Sequence, residues 1–160
     1  MRETEDFYFF LEHQFGQWTR RDIVDIDDML YNCCEQYMMY KKAILFNDRE
    51  QAEKILQAGH PREQQELGRG VKGFQSAHWN QYKFGIVWNG DFLKFIQHEV
   101  LKERLLATEK KTLVEASPYG LVWGVGLAAD DDRILDPKNW AGKNLLGKVL
   151  MSARTALQQQ

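Results

Sequence analysis

The sequence predicts an α+β fold: a single, mostly helical domain over residues 1–160 with a small β-sheet. Three observations lead there. Runs rich in aromatic and β-branched residues are short and few, with Phe7-Tyr8-Phe9-Phe10 near the start and Thr112-Leu113-Val114-Glu115 late in the chain. Between Cys33 and Leu106 the apolar residues recur at helical spacing, punctuated by Asn, Asp, Gly and Pro. The clearest helix comes last, where Leu145, Leu146, Val149, Leu150, Ala153 and Leu157 form one apolar stripe at i, i+3/i+4, i+7 spacing. A chain of 160 residues, 44% hydrophobic, is long enough to bury a real core.

Taken in order, Phe7–Phe10 is the first strand, and Val24-Asp25-Ile26 alternates weakly enough to predict an edge strand. Between them, Gly16-Gln17-Trp18 reads as a loop that positions a side chain. A first helix runs from about Leu30 or Cys33 to Phe46. Asn47-Asp48 stops it and caps a second over Arg49–Ala58, closed by Gly59. His60-Pro61 opens a third, since proline lacks only an N–H that is unpaired at the first helical position anyway. Gly68-Arg69-Gly70 and Gly73 break it. Two further helices are expected around His78–Trp88 and Asp91–Leu106, separated by Asn89-Gly90-Asp91. Thr112–Glu115 is a strand that joins the N-terminal one, and Val122-Trp123 is a candidate for another. Asp130-Asp131-Asp132 to Trp140 reads as a solvated loop, and Gln158-Gln159-Gln160 as a fraying end.

Charge and composition exclude several functions. A net charge of −2 and a pI near 6.1 argue against stable binding of duplex nucleic acid, which calls for a basic face. No run approaches the ~18 apolar residues of a membrane span, so no membrane association is expected. The charged start Met1-Arg2-Glu3-Thr4-Glu5-Asp6 is no signal peptide, and a cytoplasmic location is expected. Cys33 and Cys34 are adjacent, which disfavours a disulfide and predicts ordinary buried thiols. His13, His60, His78 and His98 lack the spacing of a metal site. No metal and no cofactor are expected. There is no serine–histidine–acid order, no phosphate loop and no Rossmann glycine fingerprint.

The residues that carry chemistry lie elsewhere. In the first helix Glu35, Met38, Met39 and Lys42 share one face, which Leu45 and Phe46 continue. Buried charge is costly, so this face is either partly exposed, with a solvated Glu and a snorkelling Lys, or the lining of a pocket in which Glu35 and Lys42 meet substrate. Glu115 ends an apolar strand beside Ala116-Ser117-Pro118. Two carboxylates facing one ligand can be pushed to different pKa values; a salt bridge from Glu115 to Arg69 or Lys143 is the alternative. Trp79, Trp123 and Trp18 offer faces for a planar base, at about 1–3 kcal/mol per stacked base, although core packing is the commoner use of a tryptophan. Arg69 between glycines offers a planar fork to a phosphate. Gly124, beside Trp123, lets backbone come close to a ligand. Asn144 opens the last helix, whose N-terminus attracts anions, or serves only as its N-cap.

The ordered set of motifs resembles the YbiA-like family, also called NADAR. It comprises Glu35-Gln36-Tyr37 with Lys42-Ala43, Leu67-Gly68-Arg69, Trp79, Lys94-Phe95, and Leu105-Leu106-Ala107-Thr108. It continues through Leu113-Val114-Glu115-Ala116-Ser117-Pro118, Trp123-Gly124-Val125-Gly126 and Gly142-Lys143-Asn144-Leu145-Leu146-Gly147. The resemblance runs from about Phe7 to Leu157. It implies a small, largely helical α+β fold of the YbiA type that cleaves N-glycosidic bonds, with Glu35, Lys42, Trp79 and Glu115 at the family's functional positions. The implied substrates are small and nucleotide-like. They are the phosphorylated ribosyl-aminopyrimidines of riboflavin synthesis, or ADP-ribose on a nucleobase such as guanine, free or within nucleic acid. One departure stands out: Gly120 fills a slot where relatives commonly carry Asp. It makes plausible a rival reading, a non-catalytic module that binds ADP-ribose or NAD; a structural partner-binding protein is a third, separate reading.

Overall fold

The computed structural model describes residues 1–160. In chain order the elements are β1 (Arg2–Glu3), β2 (Phe7–Phe10), β3 (Ile23–Val24), β4 (Leu30–Tyr31), α1 (Cys34–Leu45), α2 (Arg49–Gln57), α3 (Pro61–Arg69), α4 (Ser76–Gln97), α5 (Glu99–Leu106), β5 (Thr112–Glu115) and α6 (Leu145–Gln158), with 3-10 turns at Asp132–Leu135 and Pro137–Asn139. The fold is α+β and mostly helical, as expected. The chain forms two compact units, residues 1–16 with 98–160, and residues 17–97.

In the first unit β1, β2 and β5 form a sheet in that order. β1 is antiparallel to β2, and β2 is parallel to β5 with Phe7 opposite Thr112 and Phe10 opposite Glu115. The N-terminal strand thus does join the one that ends at Glu115. Phe9, Val114, Ala116, Val125, Leu127 and Ile134 make a buried cluster, with Phe7 and Trp140 packed on it. The apolar stripe of α6 is buried at Leu146, Val149, Leu150, Ala153 and Leu157. This helix packs on β5. A Cβ at Gly147 would overlap the Leu113 carbonyl oxygen, so only glycine allows that approach.

Val122-Trp123 is not a strand. The segment turns, and its carbonyls accept N–H groups from residues 142–146 rather than from a neighbouring strand. The acidic run 130–132 enters a 3-10 turn in which Asp131 accepts from the Arg133 N–H and binds its guanidinium, the solvated role expected of it.

In the second unit α1 packs against α2, α3 and α4. The expected edge strand falls one residue early, at Ile23–Val24, and pairs antiparallel with β4. Asp25 shapes this hairpin, accepting from the Asp27 and Met29 N–H groups and from the Tyr31 hydroxyl. Asp48 caps α2 through the Gln51 N–H, and Pro61 opens α3. The expected break at Asn89-Gly90-Asp91 does not occur: α4 runs unbroken to Gln97, and the chain breaks at His98. Two packing facts outweigh the turn-like composition. A Cβ at Gly90 would stand 2.8 Å from Tyr37 Cδ1, so glycine serves helix–helix contact there. Asp91, fully buried, pairs with Lys94 one turn on at 3.0 Å.

Candidate active site

The second unit places Glu35, Lys42, Arg69, Trp79 and Trp18. Cys33, at the N-cap of α1, is extended and makes no side-chain cap. One of the free N–H groups of the first turn is taken instead by the chain upstream: the Glu35 N–H donates to the Gln17 carbonyl at 3.0 Å. Glu35 itself is only 2% exposed, and Met38 and Met39 are buried beside it. Lys42, two turns further along, is half-buried. Its Nζ lies 4.6 Å from the centroid of Phe74 and 5.6 Å from that of Trp79, within cation–π range. A solvated Glu on an outer face is therefore not what α1 presents.

Burial holds the Lys42 ammonium below the ordinary lysine pKa. The negative charge of Glu35 opposes this, and the positive charge of Arg69 adds to it. Arg69 owes its place to the residue before it. A Cβ at Gly68 would overlap the Met39 thioether, so α3 and α1 touch there. The next residue, the exposed Arg69, is thereby set within electrostatic reach of Lys42.

Sequence reasoning missed the aromatic surroundings of Lys42. Phe46 packs edge-on against Phe74 and His78, and His78 against Tyr82. The signal was available: from Leu67 to Gly90 the chain has no Asp or Glu, yet carries Arg69, Lys72, Lys83 and six aromatic or imidazole rings. Trp18 is half-buried and stands edge-on to His60 at 6.3 Å.

A buried polar chain lies under the start of α1. Gln17 Nε2 donates to Asp91 Oδ2 at 2.6 Å, and Asp91 Oδ1 pairs with Lys94 Nζ at 3.0 Å. Burial pushes the Asp91 carboxyl up, against the pull of Lys94. Both cysteines are buried free thiols. Cys33 donates to Gln64 Oε1, and burial pushes its pKa up to about 11, which leaves it inert near neutrality.

The first unit places Glu115, Trp123, Gly124 and Asn144. Glu115 and Trp123 are half-buried and Gly124 is buried. Asn144, 3% exposed and in the left-handed region at φ 52°, makes no side-chain cap. Its Oδ1 accepts from the Glu115 N–H at 3.0 Å and its Nδ2 donates to the Leu113 carbonyl at 2.9 Å. Where the sequence suggested a ligand contact or an N-cap, the amide instead ties α6 to β5. The anion-attracting helix N-terminus is likewise occupied. The N–H groups of Lys143, Asn144, Leu145 and Leu146 donate to the carbonyls of Leu121, Gly124, Val122 and Trp123. At Gly120, a Cβ would stand 2.9 Å from Ser117 Oγ, which accepts from the Gly120 N–H. A side chain there would require Ser117 to shift. A cavity of about 400 Å³ in this unit, lined by Tyr8, Phe10, Phe15, His13 and Arg104 among others, contains none of the expected site residues.

The chain is 42% identical over 151 residues to "N-glycosidase R617" of Acanthamoeba polyphaga mimivirus, covering 92% of this chain and 89% of that protein. It is 32% identical over 118 residues to "Riboflavin biosynthesis protein PYRR, chloroplastic" of Zea mays, covering 69% of this chain but 17% of that longer protein. The NMR structure of the E. coli protein YbiA superposes with a TM-score of 0.79 at 24% identity, over 99% of this chain and 88% of YbiA, which establishes the shared fold. The family model described as "NADAR domain" matches residues 2–158. With its model spanning nearly the whole sequence, the chain belongs to the NADAR family.

Proposed function

We propose that this chain, an N-glycosidase of the NADAR family, cleaves the bond between the anomeric carbon of a phosphorylated ribose and a nucleobase-like group. The observation that carries this reading is the α1 face. It has a buried carboxylate, Glu35, and two turns on a half-buried ammonium, Lys42, over the Trp79 ring. Breaking the C–N bond builds oxocarbenium-like positive charge on the ribose. A carboxylate out of bulk water stabilises such charge far better than a solvated one. Glu35 takes that role, with water adding to the anomeric carbon and the base leaving with a proton. Trp79 stacks on the ring of the substrate, and the exposed guanidinium of Arg69 holds phosphate.

Lys42 is the amine that captures the sugar. Its lowered pKa supports a larger neutral fraction than an ordinary lysine has. The amine attacks the aldehyde of the ring-opened ribose, water is lost, and a Schiff base forms that water later hydrolyses. Glu115 and Trp123 are further candidates, and Glu115→Gln and Trp123→Ala are each expected to lower turnover.

Two substrate classes fit this chemistry: ribosyl-aminopyrimidine phosphates, favoured by the likeness to the protein named for riboflavin biosynthesis, and ADP-ribose on a nucleobase. Incubating the chain with each and following the free base by mass spectrometry decides between them. Borohydride added during turnover should trap a sugar adduct on Lys42. Tight binding of ADP-ribose or NAD with no base released from either class would establish the non-catalytic module instead.

A further inference from the structure

Resting on the catalytic reading of Glu35, we propose that Gln17, anchored by the buried Asp91–Lys94 pair, is a positioning residue that sets the Glu35 carboxylate for the reaction. The N-cap position of α1 supplies no side-chain acceptor, so the first turn depends on the Gln17 carbonyl, which accepts the Glu35 N–H at 3.0 Å. Residue 17 lies in a stretch with no helix or strand of its own. Its place is fixed by its side chain, whose Nε2 donates to Asp91 Oδ2 at 2.6 Å. The amide oxygen Oε1 is buried without a donor, so the Asp91 contact alone sets the orientation of the amide.

Asp91 is in turn fixed by Lys94, and both are wholly buried. Cys34 adds a second tie from the same turn, its Sγ 3.5 Å from the Gly90 carbonyl oxygen. Glu35 is thus attached at its backbone to a rigid buried ion pair on α4. That is the arrangement a carboxylate needs when a misplacement of about 1 Å can lower the rate about 100-fold.

Asp91→Asn would strip a buried ammonium of its counter-charge and report mainly on folding. The test is therefore Gln17→Met, which keeps the backbone carbonyl and the side-chain length but removes the amide. Measured together are kcat, KM, Tm, and the hydrogen-exchange rate of the Glu35 amide. The expected result is a fall in kcat of about tenfold or more, KM changed less than about threefold, and faster exchange at Glu35 in a protein that still melts cooperatively. In the double variant Gln17→Met/Glu35→Gln, turnover should fall no further than in Glu35→Gln alone, because the two act through one group. If Glu35→Gln is inactive while Gln17→Met retains wild-type kcat, the positioning role is overturned and the catalytic reading stands. If Glu35→Gln is fully active, the catalytic reading fails and the positioning role falls with it. Multiplicative losses in the double variant would show that Gln17 acts on something other than Glu35, against the proposal.

Discussion

Replacing Asn144 by alanine separates a structural role from a ligand-binding one. The side chain makes two bonds to the backbone of β5, 3.0 Å from the Glu115 N–H and 2.9 Å to the Leu113 carbonyl, at a site 3% exposed. Alanine removes both and leaves a buried donor and a buried acceptor unpaired, at about 1–3 kcal/mol each. The left-handed backbone, φ 52°, suits asparagine better than alanine and adds to the loss. The two groups alone sum to about 2–6 kcal/mol, and at about 2–4 °C per kcal/mol for a chain of this size, Tm should drop by roughly 4–24 °C. Asn144→Asp keeps the oxygen for the Glu115 N–H but turns a donor into an acceptor opposite the Leu113 carbonyl, so it should recover only part of the loss. Calorimetry on the three proteins, with urea titration for the free energies, gives the answer. A Tm within about 2 °C of wild type for Asn144→Ala, together with a raised KM, would refute this reasoning and restore the ligand contact suggested by sequence.

Three further outcomes are expected. The lowered Lys42 pKa places the rising limb of the kcat–pH profile below the ordinary value of 10.5, and Arg69→Gln, which removes a charge that lowers it, should move that limb upward. The same shift has a stability sign. Unfolded Lys42 holds its proton to higher pH than folded Lys42 does, so its contribution to stability rises with pH between the folded pKa and 10.5, and Lys42→Met should remove that rise in denaturation curves. Gly68→Ala forces a methyl into the Met39 side chain and should cost about 1–3 kcal/mol, read by urea denaturation. Trp79→Ala should raise KM by a factor of about 5–150, the equivalent of about 1–3 kcal/mol of lost stacking, with a smaller effect on kcat.

Much of the fold was legible because periodicity and caps are local signals. The stripe of α6, the Asp48 cap and Pro61 at the start of α3 all sit where the sequence puts them. The failures share one cause, a long-range contact that overrides local preference. Gly90 resembles a helix breaker until Tyr37 occupies the space over it, and Asp91 resembles a new N-cap until Lys94 buries with it. Val122-Trp123 has strand-like residues, but the N-terminus of α6 claims its carbonyls. Within the site, the odd charges of α1 could be read from spacing alone. Gln17 could not, since it lies on a connecting segment, where no periodicity announces a partner. The sequence marks Gly124 as a place for close approach to a ligand; in the structure its carbonyl fills the space a Cβ at Gly142 would need, as that of Leu113 does at Gly147.

Glu35 is a buried carboxylate proposed to do the chemistry, and turnover of Glu35→Gln tests that role most directly. With whichever ribosyl substrate the wild type cleaves, release of free base by the variant should fall by a factor of about 100–10,000, while calorimetry shows the substrate still bound and the fold intact. Release within about threefold of wild type would contradict the account, whatever else binds to this face of α1.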